Sequence, residues 1–177
     1  MKIEKTKLDG VQIIHPDIYH DYRGSFLEMF NELNSNYNFV QDNISISHKN
    51  VLRGLHYQER GYAQAKLVTV LKGLALDVIV DIDSDSETFG EHITVKLSGD
   101  KKTQVMIPRG FAHGFISLED DTIFSYKCDN YYYPEYERGI IYNDPDLGID
   151  WGIENEDDLV ISPKDLILPK FKGITFF

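Results

Sequence analysis

The sequence predicts an all-β protein, an antiparallel barrel or sandwich assembled from many short strands. Apolar segments with the two-residue period of a strand recur along the 177 residues, and turns rich in Gly, Asp and Pro separate them. Residues 92–97 show the clearest alternation, with apolar side chains at Ile93, Val95 and Leu97. Helical periodicity is scarce, and we expect only one or two turns, over residues 31–37. Many short strands at close spacing are typical of barrels and sandwiches.

Six segments carry the strand pattern, and turn signals separate them. The strands are expected over residues 43–47, 66–71, 76–81, 92–97, 104–107 and 122–127. The turn signals are Lys72-Gly73, Ser98-Gly99-Asp100, Pro108-Arg109-Gly110 and Glu119-Asp120-Asp121. No linker, repeat or low-complexity tract interrupts the chain, so residues 1–177 are expected to form one domain.

Charge and composition exclude several classes of partner. The net charge of −11 argues against nucleic acid, because phosphate backbones attract basic surfaces. No apolar run is long enough for a membrane span, and the charged N-terminal segment does not resemble a signal peptide. Cys128 is the single cysteine, which excludes an internal disulfide and suits a reducing compartment. A cytoplasmic location with no membrane partner is expected.

The segment Arg53-Gly54-Leu55-His56-Tyr57-Gln58 concentrates polar groups within apolar, strand-like sequence. Burying such groups is costly unless each has a partner, so their concentration indicates a site that holds an anion and moves a proton. In a regular strand, Arg53 and His56 would face opposite sides. Both can reach one pocket only if the strand kinks, and Gly54 is the expected position of a bulge. The alternative is a surface arginine and a buried, hydrogen-bonded histidine.

Three further polar motifs have both a structural and a functional reading. Lys66 opens an apolar strand, where it either extends to the barrel rim or stabilises an oxyanion. His113 lies between Phe111 and Phe115 and would share a strand face with them, as a core histidine or as a ligand contact. The segment from Tyr126 to Pro134 contains four tyrosines, which pack as strand aromatics, donate protons or stack on a base or sugar.

Motifs of several other functional classes are missing from the sequence. Metal-binding β-barrels usually offer two histidines one residue apart, and no His-x-His occurs, so no metal site is predicted. Gly-x-Gly-x-x-Gly, the P-loop and Gly-x-Ser-x-Gly do not occur either.

The ordered set of motifs resembles the dTDP-4-dehydrorhamnose 3,5-epimerase family. The motifs span nearly the whole chain: Asp21-x-Arg23-Gly24-x-Phe26-x-Glu28, Gln41-Asp42-Asn43-x-Ser45, Arg53-Gly54-Leu55-His56-Tyr57-Gln58, Lys66-Leu67-Val68, Gly110-Phe111-Ala112-His113-Gly114-Phe115, Tyr126-Lys127, Asn143-Asp144-Pro145 and Ser162-x-Lys164-Asp165. Each motif alone is modest, but the ordered set is specific. The resemblance implies an all-β, cupin-type jelly-roll barrel with a few short helices, a homodimer, no cofactor, and a dTDP-linked 4-keto-6-deoxyhexose as substrate.

The resemblance also implies a role for individual residues. His56 would be the base, Asp165 its carboxylate partner, Tyr126 the acid on the opposite face of the sugar, and Lys66 the group that holds the enolate oxygen. Arg53 would contact the diphosphate. The implied remaining lining of the substrate site comprises Gln41, Asn43, Gln58, His113, Tyr132 and Lys164, with Arg23, Phe26 and Glu28 reaching the nucleotide in the partner subunit's site.

The implied reaction inverts C3 and C5 next to a C4 ketone, which acidifies both C–H bonds. Proton removal gives an enolate, and reprotonation from the other face inverts the carbon, so an acid and a base suffice. Three alternatives remain at this point: a single-centre epimerase acting at C3 or C5, a ketoisomerase of the same barrel class, and a non-catalytic nucleotide-sugar binding module. The nucleotide base, the glycan that receives the product, and the choice among Tyr131, Tyr132 and Tyr133 as the stacking ring also stay open.

Overall fold

The computed structural model describes residues 1–173, and its regular secondary structure consists mostly of short strands. The strands are β1 (Lys2–Lys5), β2 (Gln12–His15), β3 (Tyr19–Asp21), β4 (Gly24–Phe26), β5 (Gln41–Ser47), β6 (Val51–Gln58), β7 (Lys66–Lys72), β8 (Leu74–Asp81), β9 (His92–Ser98), β10 (Gln104–Ile107), β11 (Phe111–Ser117), β12 (Thr122–Cys128), β13 (Glu137–Gly139) and β14 (Val160–Ile161). Single 3₁₀ turns occupy Glu32–Asn34, Arg60–Tyr62, Pro134–Tyr136, Glu156–Asp158, Asp165–Ile167 and Phe171–Gly173. Within residues 1–173, no helix is both long and apolar enough to cross a bilayer.

The strands form two facing sheets and one separate hairpin. The first sheet has the order β1-β2-β10-β7-β12-β5, and the second has the order β13-β6-β11-β8-β9 with β14 pairing alongside β6. The hairpin β3–β4 stands apart as a two-stranded sheet. All six strands expected from the sequence occur, each within two residues of its expected bounds, and residues 31–37 contain the short turn Glu32–Asn34.

Apolar side chains pack on both faces of the second sheet. The core between the sheets is made by residues such as Val68, Val70, Ile79, Phe115 and Phe124, where the rings of Phe115 and Phe124 stack 4.0 Å apart. The other face of the second sheet is covered by the chain after residue 139, and its core consists of Leu52, Leu55, Tyr57, Val78, Val80, Ile82, Ala112, Ile116, Ile140, Leu147 and Trp151. This covering brings the segment around residue 165 against β6.

Strand β6 contains the bulge expected at Gly54. His113 pairs with His56 and Phe115 pairs with Arg53. Between these two pairs β11 advances by two residues and β6 by three, so β6 contains one extra residue. The extra residue turns both Arg53 and His56 into one cavity, while Leu55 faces the outer core. Gly54 has φ 113°, and a Cβ there would lie 2.7 Å from Gly114 Cα. The position therefore requires glycine both for its backbone angle and for the close approach of β11.

We predict that Gly54→Ala destabilises the protein and removes its activity. A left-handed backbone costs a residue with a Cβ roughly 1–2 kcal/mol, and the contact with β11 adds to that cost. The melting temperature should fall by more than about 4 °C for a chain of this size. Gly61→Ala is the matched control, since a Cβ there meets nothing within 4 Å. Equal melting temperatures for the two variants would contradict the assigned role of Gly54.

Candidate functional site

A cavity with a volume of about 550 Å³ opens between the two sheets. Strands of both sheets and the segment 160–165 contribute to its wall. The polar and charged side chains that line it are Ser45, Arg53, His56, Lys66, His113, Tyr126, Ser162, Lys164 and Asp165. Seven of the fourteen site residues predicted from the sequence are thus brought together in one place: Arg53, His56, Lys66, His113, Tyr126, Lys164 and Asp165.

His56 and Asp165 form a hydrogen-bonded pair. The Nε2 atom of His56 and Oδ1 of Asp165 are 2.8 Å apart, although 109 residues separate them in sequence. Burial alone would raise the pKa of Asp165, but the hydrogen bond and charge of His56 and the backbone N–H of Gly54 outweigh it and lower the pKa. An ionised Asp165 accepts a hydrogen bond from Nε2–H, which leaves the lone pair of Nδ1 available to accept a proton.

Asp165 is fixed by the irregular edge of β6. Its Oδ2 accepts a hydrogen bond of 3.3 Å from the N–H of Gly54, the bulge residue. On either side of the bulge, that edge of β6 pairs with β13 and with β14. The chain after β13 is itself anchored by Asp144, whose carboxylate accepts hydrogen bonds from the N–H groups of Asp146, Leu147 and Phe171. The Asn143-Asp144-Pro145 motif therefore has a structural role.

Lys66 places an ammonium group in the cavity without a countercharge in contact. Among residues 1–173, the side-chain ammonium of Lys66 makes no hydrogen bond or ion pair. Burial lowers the pKa of Lys66, and electrostatic interactions with Cys128, Glu137 and Asp77 only partly oppose that effect. Cys128 is the cross-strand neighbour of Lys66, and burial raises the pKa of its thiol to about 11, so the thiol is neutral at pH 7. The ammonium is therefore available to an incoming anionic oxygen.

Tyr126 faces the cavity from the sheet opposite to His56. It lies on β12 of the first sheet, and His56 lies on β6 of the second. Burial raises the pKa of the Tyr126 phenol, which keeps it protonated at neutral pH. A base and a proton donor thus occupy opposite walls of one cavity, an arrangement that can remove a proton from one face of a carbon and return one to the other.

A second histidine–carboxylate pair supports the same wall. The Nε2 atom of His113 lies 2.6 Å from Oδ1 of Asp77, and both residues are buried. The expected face shared by Phe111, His113 and Phe115 is consistent with their positions, because His113 and Phe115 line the cavity and Phe111 packs on the inner core.

Sequence reasoning missed three polar residues of the site, Ser45, Ser162 and Glu137. The Oγ atom of Ser45 is buried on the cavity wall and has no hydrogen-bond partner among residues 1–173. Ser45 belongs to a recognised motif, and its position two residues from Asn43 on the same strand face was the available signal. Glu137 binds Lys164 and Tyr132 at the rim. No motif surrounds it, so only the fold could reveal it.

Four predicted contacts lie outside the cavity lining of this chain. Gln58 is buried and holds the tyrosine segment, because its side chain accepts from Tyr133 N–H and donates to the carbonyls of Tyr62 and Tyr131. Gln41 accepts from Tyr132 N–H and donates to Asn43. The side-chain amide of Asn43 contacts Cys128 Sγ at 3.8 Å. These glutamines place the ring of Tyr132, whose hydroxyl donates to Glu137 at 3.1 Å.

No three His, Cys, Asp or Glu side chains converge as metal ligands would within the described part of the chain. The absence of a metal and of a cofactor stays a prediction from the sequence.

Comparison with known proteins identifies the family. The sequence profile described as dTDP-4-dehydrorhamnose 3,5-epimerase matches residues 5–173. A protein of that name from Methanothermobacter thermautotrophicus is 51% identical over 166 residues, which cover 91% of this chain and 89% of that protein. The chain belongs to the dTDP-4-dehydrorhamnose 3,5-epimerase family.

Solved structures of the epimerase family superpose closely on this chain. The enzyme from Elizabethkingia anophelis has a TM-score of 0.94 at 48% identity and covers 99% of each chain. The enzyme from Legionella pneumophila, solved in complex with dTDP-4-keto-L-rhamnose, has a TM-score of 0.93 at 47% identity and covers 98% of this chain and 94% of that one. The predicted family, the cupin-type all-β fold and the assignment to the isomerases are confirmed.

The remaining predicted contacts of the epimerase, Arg23, Phe26 and Glu28, lie away from the cavity. Arg23 pairs with Asp21 on the β3–β4 hairpin, and Phe26 is 71% exposed. Glu28 accepts a hydrogen bond of 3.3 Å from Asn31 and borders a separate, largely apolar cavity over the first sheet. Within one chain, these residues cannot form a common site with His56.

We predict that Lys66→Met makes the epimerase more stable and inactive. Methionine fills a similar volume without an uncompensated charge, so stability should rise by about 1–2 kcal/mol. That corresponds to a rise in melting temperature of roughly 2–8 °C. Lys96→Met, at an exposed lysine of β9, is the control and should change neither property. A variant that melts at a lower temperature than the wild type would show that Lys66 has a stabilising partner in solution.

Proposed function

We propose that this epimerase converts dTDP-4-dehydro-6-deoxy-D-glucose into dTDP-4-dehydro-L-rhamnose by inverting C3 and C5, without a cofactor. One observation carries the proposal: the His56–Asp165 pair and the Tyr126 phenol face each other across a cavity that also holds the unpaired ammonium of Lys66. The family name and the ligand in the Legionella pneumophila structure support the choice of substrate and product. This reaction would give the protein a role in the biosynthesis of deoxysugar nucleotides.

Lys66 stabilises the charge that develops on the C4 oxygen. Removal of the proton at C3 or C5 delocalises the electron pair onto that oxygen and gives an enolate. An oriented donor in a site shielded from water typically lowers such a barrier by about 2.7–4 kcal/mol. Because the ammonium has no partner in the described structure, it has no contact to break when the substrate oxygen arrives.

His56 removes the proton, and Asp165 supports it in two ways. The hydrogen bond from Nε2–H to Asp165 fixes the tautomer, so that Nδ1 is the basic nitrogen. The negative charge of Asp165 then stabilises the imidazolium formed in the step. The proton passes from carbon to Nδ1, and the electron pair passes to the C4 oxygen, so the reaction needs no change in oxidation state.

Tyr126 returns a proton from the opposite face. Its phenol stays protonated at neutral pH because burial raises its pKa. Protonation of the enolate carbon from that wall inverts the configuration, whereas return of the proton by His56 would restore the starting sugar. His56 then releases its proton to solvent and Tyr126 takes one up from solvent, so that the same step can repeat at the second carbon and give the doubly inverted product.

The nucleotide end is bound by cations and by an aromatic ring. Arg53 and Lys164 line the cavity and supply positive charge for the diphosphate. Ser45, with its unpartnered hydroxyl, and His113 complete the polar lining. Tyr132 at the rim is the ring that stacks on the base or sugar. Gln41 and Gln58 hold the backbone of the tyrosine segment, and Asn43 accepts a hydrogen bond from Gln41.

We infer that a homodimer completes this site. The hairpin that carries Arg23 and Phe26 stands apart from both sheets, and its exposed aromatic residues include Tyr19 and Tyr22. The edge strand β5 exposes Ile44 and Ile46 as well. A second copy that covers these surfaces would place Arg23, Phe26 and Glu28 at the partner's nucleotide.

Light scattering should therefore give a mass of twice 20.4 kDa. Phe26→Ala should raise the Michaelis constant severalfold with little change in turnover, because the residue touches the nucleotide and not the reacting sugar. Tyr22→Ala, at the tip of the same hairpin, tests whether any exposed aromatic residue has this effect. A monomeric wild type with full activity would contradict the shared site.

Two further expectations accompany the proposal. Residues 1–177 form a single domain, supported by one family match over residues 5–173, and a single cooperative unfolding transition would test it. A cytoplasmic location is supported by the buried free thiol of Cys128, which suits a reducing compartment, and cell fractionation would test it.

The test of the function is solvent exchange at the sugar. The wild-type enzyme, incubated with dTDP-4-keto-6-deoxyglucose in deuterated water, should lose the C3 and C5 proton signals and yield the L-lyxo product. His56→Asn should show neither exchange nor turnover while melting as a folded protein. Tyr126→Phe should exchange protons, because the base is intact, but invert poorly.

Each other outcome selects a different function. Loss of one proton signal alone would establish a single-centre epimerase. Substrate binding without exchange would indicate a binding module. Turnover by folded His56→Asn, or efficient inversion by Tyr126→Phe, would remove that residue from its assigned step.

A further inference from the structure

Glu137 has no part in the proton transfers described above, yet it joins two elements of the cavity rim. Its Oε2 atom accepts a hydrogen bond of 2.6 Å from Nζ of Lys164 and one of 3.1 Å from the hydroxyl of Tyr132. Tyr132 belongs to the segment after β12, and Lys164 belongs to the segment that carries Asp165. One carboxylate therefore connects two parts of the rim that share no strand.

The position of Glu137 follows from sheet register. Strand β13 pairs with β6 so that Glu137 is opposite Gln58 and Gly139 is opposite His56. Paired residues of antiparallel strands share a face, and so do residues two apart on one strand. The carboxylate thus lies on the same face of the sheet as the imidazole of His56, two residue pairs farther along.

Glu137 and Lys164 form an ion pair of opposite charges in the free protein. Burial alone would raise the pKa of Glu137, but the hydrogen bond from Lys164, the charge of His56 and the hydroxyl of Tyr132 outweigh it and lower the pKa. The hydrogen bond to Glu137 in turn raises the pKa of Lys164. Both groups are ionised at neutral pH, and charge-assisted hydrogen bonds are stronger than neutral ones.

We propose that Glu137 is a positioning residue that holds the ring of Tyr132 and the ammonium of Lys164 as one preorganised nucleotide-binding unit. The inference rests on the proposed function, in which Lys164 contacts the diphosphate and the ring of Tyr132 stacks on the base or sugar. Lysine and tyrosine side chains at an exposed rim lose rotational freedom when a ligand binds. A contact that already fixes them in the free protein removes that cost and increases affinity.

The structure supports preorganisation because the backbone of the tyrosine segment is already fixed. Tyr132 N–H donates to Gln41, and Tyr133 N–H donates to Gln58. Tyr132 is 46% exposed, so the surrounding protein covers only part of it. The hydrogen bond from its hydroxyl to Glu137 is therefore the contact that fixes the position of the ring. Gln41 and Gln58 thus hold the backbone of the tyrosine segment, and Glu137 holds the side chain of Tyr132.

The experiment is a double-mutant cycle read by binding and by kinetics. Glu137→Ala and Tyr132→Phe are made singly and together, and dTDP binding is measured by calorimetry. Each single variant should weaken dTDP binding, by about fivefold to tenfold for Glu137→Ala, the scale of one charge-assisted hydrogen bond. The double variant should bind no more than about twofold more weakly than Glu137→Ala, because both changes remove the same contact. The Michaelis constant should rise while turnover stays within about twofold.

Glu135→Ala is the matched control, since Glu135 is exposed two residues away. It should bind dTDP as the wild type does. If Glu137→Ala fails to fold, Glu137→Gln keeps the shape of the side chain and removes its charge. This variant should weaken dTDP binding because the ion pair with Lys164 is lost.

Two results would overturn the proposal. One is dTDP affinity in Glu137→Ala equal to that of the wild type, or additive effects in the double variant. The other is a nucleotide-free crystal structure of Glu137→Ala in which the Tyr132 hydroxyl and the Lys164 ammonium keep their wild-type positions. Displacement of both groups is the expected result, and it needs no nucleotide. A wild type that fails to exchange sugar protons would instead contradict the proposed function and leave this structural result to decide the role of Glu137.

Discussion

The site depends on the two hydrogen bonds made by one buried carboxylate. Asp165 accepts from the backbone N–H of Gly54 and pairs with the imidazole of His56. The first bond exists because β6 bulges at Gly54 and leaves that N–H without a strand partner. The same bulge turns His56 toward the cavity together with Arg53. A single irregularity in one strand therefore brings His56 into the cavity and supplies the donor that fixes its carboxylate partner.

Electrostatics of the cavity oppose those of the whole chain. The protein has a net charge of −11, yet Arg53, Lys66 and Lys164 all line the same cavity. The two lysines differ in their partners. Lys164 forms an ion pair with Glu137, whereas the ammonium of Lys66 has no partner among the described residues. An unpaired buried ammonium costs stability, and its retention is expected where an anionic oxygen forms during the reaction. These cations are therefore concentrated in the cavity in which we propose that the diphosphate and the enolate bind.

Much of the fold and the centre of the site could be predicted from the sequence. Strands with clear alternation, such as residues 92–97, followed directly from their period, and the bulge followed from the need to place Arg53 and His56 together around Gly54. The ordered motifs identified the family. Roles that depend on long-range geometry could not be predicted: Gln58 belongs to a motif but holds the tyrosine segment from outside the cavity. Glu137 carries no local pattern at all, because its partners are distant in sequence.

The nitrogen-15 chemical shifts of the His56 ring test the central claim most directly. Asp165 is proposed to hold Nε2 in the protonated form, so that Nδ1 is the base. Selective labelling of histidine in the free enzyme at neutral pH, with His56 assigned by substitution, should show a protonated Nε2 and an unprotonated Nδ1. The same signals in Asp165→Asn should lose this preference. A neutral imidazole protonated at Nδ1 in the wild type would contradict the account, since the nitrogen assigned as the base would already carry a proton.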